Sequence, residues 1–148
     1  MRLVRGITLV EVLIVVLVLS ILASVMTPQL SRASSDARLN EMQANLQDVR
    51  GQIRLYHTQH DGKYPRLDDF VTQMTQYTDA SGKTCSHCMS SFNLGPYLLS
   101  VPNNPYTGGN KIGDGPVGTS DWFYDAQTGV FRANHDTRDT GFNATLSP

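Results

Sequence analysis

Cys85 and Cys88 stand in a Cys-x-x-Cys spacing around Ser86 and His87, the densest concentration of reactive side chains in the sequence. Met89 occupies the place where c-type haem attachment needs a histidine, and no second cysteine pair exists to complete a four-ligand zinc site. Outside the cytoplasm the simple outcome is a bond between the two sulfurs, a clip of about 2 kcal/mol for so small a ring in the chain-entropy estimate. A metal held with His87 or another histidine, and a pair of free thiols, are the alternatives. Asp114, Asp121 and Asp125 could supply oxygen ligands to calcium, the other reading being a solvated turn. His57, His60, His87 and His135 are scattered, and the sequence lacks a Gly-x-Ser-x-Gly, a His-Glu-x-x-His and a phosphate-binding glycine loop. Glycines 108, 109, 113, 115 and 118 lie among Pro, Asn and Asp with no helix after them, which reads as loop rather than nucleotide site. Together these absences direct the reading away from an enzyme.

Glu11 is the remaining oddity, an acidic side chain inside the apolar run Ile7-Thr8-Leu9-Val10-Glu11-Val12-Leu13. From Val12 to Ser31 no residue carries a charge. At 1.5 Å per residue such a segment spans roughly 30 Å as a helix, the thickness of a bilayer's hydrocarbon core. A carboxylate at that depth costs roughly 2.5 to 3.5 kcal/mol on insertion scales, so a compensating partner is expected. Arg2 and Arg5 precede the span, and Arg32 and Arg38 follow it, so flanking charge is a weak guide to orientation. A cleaved secretory signal is disfavoured, because Ile21 and Leu22, two residues before the best cleavage positions Ala23 and Ser24, are not small. With 148 residues and a net charge of -1, the chain has room for one small domain beyond that span and no electrostatic signature of a nucleic-acid partner.

Downstream of Pro28, whose missing N–H and ring clash weaken or kink a helix, the pattern becomes amphipathic. Leu39, Met42, Leu46, Val49, Ile53 and Tyr56 recur at steps of three and four, one stripe on a helix, with charged and amide residues filling most intervening positions. The stripe is expected to pack on a folded head, a two-stranded coiled coil being the competing reading. Asp61-Gly62 supplies a stop, which predicts a helix from near Ile7 to near His60. A short helix follows around Leu67 to Tyr77, then loop-rich chain, then a β-hairpin from Asp121–Asp125 and Val130–Ala133 turning at Gly129. The tail from Asn134 is polar and expected to be mobile.

Gly6 followed by Ile7-Thr8-Leu9-Val10-Glu11 resembles the prepilin peptidase site of type IV pilins and type II secretion pseudopilins. The resemblance implies removal of residues 1–6 after Gly6, methylation of the new amine on Ile7, and an assembly role for Glu11. Pro28 sits where members of this family often carry a helix-loosening proline. The Tyr64-Pro65 exit from the helix and the segment Val101-Pro102-Asn103-Asn104-Pro105-Tyr106-Thr107-Gly108 are similar to those of the major, G-type pseudopilins, whose heads often hold calcium.

The expected fold is α+β and pilin-like, a long N-terminal helix packed on a small antiparallel head sheet. Its divisions are a leader at 1–6, an apolar transmembrane and filament-core helix at 7–31, an amphipathic continuation at 32–60 and an extracytoplasmic head at 61–148. The resemblance implies a single-pass inner-membrane precursor that polymerises into a homo-oligomeric helical filament. Its implied partners are a prepilin peptidase, an inner-membrane platform with its ATPase, minor pseudopilins, and lipid before assembly. The competing functions are a type II secretion pseudopilus subunit, a type IV pilus subunit for adhesion, motility or DNA uptake, and a non-polymerising anchored ectodomain that binds a metal or ligand.

Overall fold

The computed structural model describes residues 6–86 and 92–135, and the side chains of residues 25–32 lie outside that description. The elements in chain order are α1 (Leu9–Gln59), α2 (Phe70–Thr75), β1 (Tyr77–Thr78), β2 (Thr84–Cys85), β3 (Ile112–Gly113), β4 (Trp122–Tyr124) and β5 (Phe131–Ala133). The helical assignment of α1 is continuous through Pro28 and covers 51 residues. The chain divides into two compact units, residues 1–37 and residues 38–148.

In the second unit the stripe on α1 forms one wall of the core. Met42, Leu46, Val49, Ile53 and Tyr56 are buried, and Leu39, at the edge of the stripe, is half-buried. They join Phe70, Met74, Tyr97, Leu98, Val101, Trp122, Tyr124 and Phe131 in a single apolar cluster. Aromatic rings supply much of its volume: Phe70 meets Tyr124 edge-on at 4.5 Å, and Trp122 stacks on Phe131 at 5.2 Å between centroids.

The end of α1 follows from Asp61-Gly62. Asp61 and Gly62 both take positive φ, 53° and 76°, and the Gly62 N–H reaches back to the carbonyl of His57 at 3.0 Å. That bond closes the helix in a Schellman-type turn, with aspartate tolerating the left-handed position that most side chains avoid. The short helix α2 is confined to Phe70–Thr75, narrower than the Leu67–Tyr77 expected.

The expected hairpin is present. Strands β4 and β5 pair antiparallel, with Trp122 opposite Ala133 and Tyr124 opposite Phe131, and Gly129 turns the chain at φ 71°. Gly129 also has no room for a side chain, since a Cβ there would lie 2.3 Å from the Tyr64 ring. Two features correct the expectation of a single antiparallel sheet. Strand β3 joins β4 in parallel, making a mixed three-stranded sheet, and β1 and β2 form a separate antiparallel pair. Each added strand has only two residues, too short for an alternating apolar pattern to register in the sequence.

Loop segments are fixed by buried polar side chains. The Trp122 indole donates to the Pro102 carbonyl at 2.8 Å, and the Tyr124 hydroxyl donates to the Pro65 carbonyl at 2.8 Å. Asn104 is fully buried; its amide donates to the Asp121 carbonyl at 2.8 Å, and its side-chain oxygen receives the Tyr106 N–H at 2.9 Å. Asn134 corrects the expectation of a mobile tail beginning there, for it is fully buried and donates to the Ser120 hydroxyl at 2.8 Å and the Pro116 carbonyl at 3.1 Å. Residues 136–148 lie outside the described chain.

Candidate assembly interface

Residues 6–24 form a helix start and an apolar helical segment with every side chain exposed. Ile7 is 76% exposed and Leu9 84%, and from Val12 to Leu22 the large apolar side chains remain between 47% and 64% exposed. Because they point to all sides of the helix, the surface is apolar around its whole circumference, a pattern that belongs to a helix covered by lipid or by other helices. Two of the segment's three hydroxyls donate within the helix: Ser20 to the Val16 carbonyl and Ser24 to the Ile21 carbonyl, each at 2.7 Å. Such internal bonding lets a hydroxyl enter an apolar medium without losing a partner.

Thr8 caps this helix. Its hydroxyl oxygen accepts the Glu11 N–H at 3.2 Å, while its carbonyl receives the N–H groups of Glu11 and Val12 at 3.1 and 3.2 Å. Glu11 therefore sits in the first turn, where its carboxylate faces the positive end of the helix dipole. The sequence signal for the cap is the spacing Thr8-Leu9-Val10-Glu11, a Thr-x-x-Glu capping-box spacing that the surrounding apolar run masks.

Among the described residues no helix is long and apolar enough to cross a membrane. The apolar segment with described side chains ends at Ser24 and spans roughly 24 Å, short of a hydrocarbon core.

The remaining candidate residues are in the second unit. Cys85 is disulfide-bonded; Cys88, the partner expected for it, and His87 lie outside the described residues. The three aspartates considered for calcium are not gathered into a ligand set, and no group of three or more His, Cys, Asp or Glu side chains suited to a metal exists among the described residues. Their carboxylates serve the local backbone instead. Asp125 accepts the Gln127 N–H at 2.8 Å and the Thr128 hydroxyl at 2.7 Å, and Asp121 accepts the Lys111 N–H at 2.8 Å, while Asp114 is exposed. The Thr128 hydroxyl, followed by the Gln127 N–H, holds the Asp125 carboxyl below its ordinary range. Gly109 packs so closely on Asp121 that a Cβ would lie 2.4 Å from its carboxylate, so part of the glycine-rich stretch is a fitted loop.

The fold and the site together define an α+β unit and a helical segment, residues 6–24, that exposes apolar surface on all sides. Residues 1–27 match the family model described as the prokaryotic N-terminal methylation motif. The chain is also 34% identical over 69 residues to the ComG operon protein 3 homolog of Bacillus licheniformis, a match that covers 47% of this chain and 71% of that relative. No solved structure matches it. The chain belongs to the type IV pilin-like family, whose members are processed by a prepilin peptidase and form pilus-like filaments.

Proposed function

We propose that the chain is the structural subunit of a type II secretion pseudopilus, a non-enzymatic filament protein that drives export by polymerising through its N-terminal helix. The observation that carries the assembly role is the exposed apolar surface from Ile7 to Leu22 with Glu11 at its start. Moving the half-exposed side chains from Val12 to Leu22 out of water is worth on the order of 10 kcal/mol. That outweighs the roughly 2.5 to 3.5 kcal/mol cost of one acidic group in lipid, so the segment enters a bilayer as an anchor despite Glu11. In this reading it is the first part of a span reaching Ser31, and the unit from Arg38 onward faces away from the cytoplasm.

The helix dipole offsets only about 0.3 to 1 kcal/mol of the Glu11 cost. A second cation is needed, and cleavage after Gly6 creates one at the Ile7 amine. Within one chain that amine is about a turn away, where a close pair is strained. In a filament, Glu11 of one copy meets the Ile7 amine of its neighbour, which repays the remaining cost and sets the axial register.

The pseudopilin reading rests on the resemblance of the junctions at Tyr64-Pro65 and residues 101–108 to those of G-type pseudopilins; in the structure the Tyr124 hydroxyl donates to the Pro65 carbonyl, and the Asn104 side chain bonds the Asp121 carbonyl and the Tyr106 N–H. A type IV pilus subunit serving adhesion, motility or DNA uptake shares the same helix and the same motif, so phenotype separates the two. Deletion of the gene should abolish export of folded proteins while leaving twitching, adhesion and transformation intact. Loss of surface filaments with normal export would overturn the secretion role and leave the pilus reading standing.

A further inference from the structure

Between the end of α1 and the β1–β2 turn lies a cavity of about 310 Å³, wholly within the second unit and separate from the apolar helix. Tyr56, His60 and Gln73 contribute to its lining, and Lys63, Arg66 and Lys83 bring positive charge to it. We propose that this cavity is a binding site for a small oxyanion, a phosphate or a carboxylate, held by the Tyr56 hydroxyl together with Lys63 and Lys83.

The Tyr56 hydroxyl is the first support. The residue is only 2% exposed, its ring is stacked on His60 at 3.7 Å, and its side chain lines the cavity. A phenol O–H at the wall of a cavity can donate to an acceptor bound there. Burial, followed by the neighbouring Tyr97, raises this phenol to about 12, so at neutral pH it retains the hydrogen it would donate. Other polar groups of the floor are spent. Gln73 donates to the Gly82 carbonyl at 2.7 Å and accepts the Arg66 N–H at 2.8 Å. The two His60 ring nitrogens are taken by the Tyr56 carbonyl at 2.8 Å and the Thr78 hydroxyl at 3.0 Å.

Charge is the second support. Arg66 is paired with Asp69, whereas Lys63 and Lys83 form no ion pair among the described residues. The Asp79 carboxylate attracts the Lys83 ammonium without forming an ion pair with it, one of its oxygens accepting the Ser81 N–H, the Ser81 hydroxyl and the Lys83 N–H at 2.7 to 3.0 Å. Gly82 keeps the floor open. At φ 82° it has no side chain, and a Cβ there would lie 2.8 Å from the Tyr56 hydroxyl and 3.1 Å from the Gln73 amide.

The test is a titration of the full-length protein in detergent with inorganic phosphate at constant ionic strength, followed by ³¹P linewidth and by Tm. The expected result is saturable binding and a rise in Tm that grows with phosphate concentration. Tyr56→Phe keeps the ring stacked on His60 and removes only the donor, and Lys83→Gln removes one cation. Each should weaken phosphate binding about tenfold without lowering Tm in phosphate-free buffer. Arg54→Gln, an exposed cation outside the cavity, should leave affinity unchanged. Absence of saturation, or equal weakening by Arg54→Gln, overturns the site. Acetate in competition identifies the source: displacement of phosphate at similar concentration points to a carboxylate ligand, and failure to displace points to phosphate, both within the proposal.

Discussion

The Glu11 N–H donates to the hydroxyl oxygen of Thr8 at 3.2 Å, so the acidic residue of the apolar helix is also the third residue of a capped first turn. The two roles separate energetically. A threonine cap is worth about 1 kcal/mol to the helix, and the carboxylate at the dipole about 0.3 to 1 kcal/mol more. Neither repays the cost of a charge in lipid. The local structure explains how the helix starts but leaves the carboxylate in need of a partner from elsewhere.

Glu11→Ala should therefore leave insertion and cleavage intact, because it removes a charge while keeping Thr8 as the cap, yet sheared-filament yield should fall severalfold or vanish. Thr8→Ala should have the opposite balance, fraying the first turn by about 1 kcal/mol while filaments persist. Normal filament yield from Glu11→Ala at an equal membrane pool would remove the intersubunit pairing.

Processing should yield a mature chain beginning at Ile7. Gly6 is exposed, with nothing within 4 Å of the place its Cβ would take, so the backbone here is open to a peptidase. Intact mass of membrane extracts should show the loss of residues 1–6 and one added methyl. A mature chain starting after Ala23 would contradict this.

Alkaline pH should unfold the head. Burial, before any neighbouring charge, raises both Tyr124 and Tyr56, the latter to about 12. A phenol titrates near 10 in the unfolded chain, so the stability these groups contribute is complete below about pH 10 and is lost as pH rises through the folded values. Tyr124→Phe should flatten that loss, while costing about 1 to 3 kcal/mol at pH 7 because the Pro65 carbonyl loses its only side-chain donor among the described residues. Urea midpoints at pH 7 and pH 11 for parent and variant check both signs; an unchanged slope between the two pH values would count against it.

The bonded state of Cys85 predicts that thiol reagents fail on the native protein and react after reduction. Labelling before reduction would show free thiols, and protection lifted by a chelator would show metal.

What the sequence determined by itself are the features set by local pattern. The Gly6 to Glu11 motif, the stripe from Met42 to Tyr56, the Asp61-Gly62 stop and the β4–β5 hairpin all lie within a few residues or a regular period, where side-chain type alone fixes the outcome. Thr8 belonged to the same class and was legible as a capping box. Only the tertiary structure decided the rest. The parallel pairing of β3 with β4 depends on two residues whose own pattern says nothing, and on the Lys111 carbonyl receiving the N–H groups of Asp121 and Trp122 across the loop. Asn104 and Asn134 read as loop and tail because asparagine is ordinarily solvated, yet both are fully buried where backbone carbonyls from distant segments converge. The cavity beside Tyr56 was equally hidden, since Lys63, Gly82 and Lys83 come together only when the turn between β1 and β2 folds back over the end of α1. Burial of a polar side chain is determined by what surrounds it, and those surroundings are brought together from positions far apart along the chain.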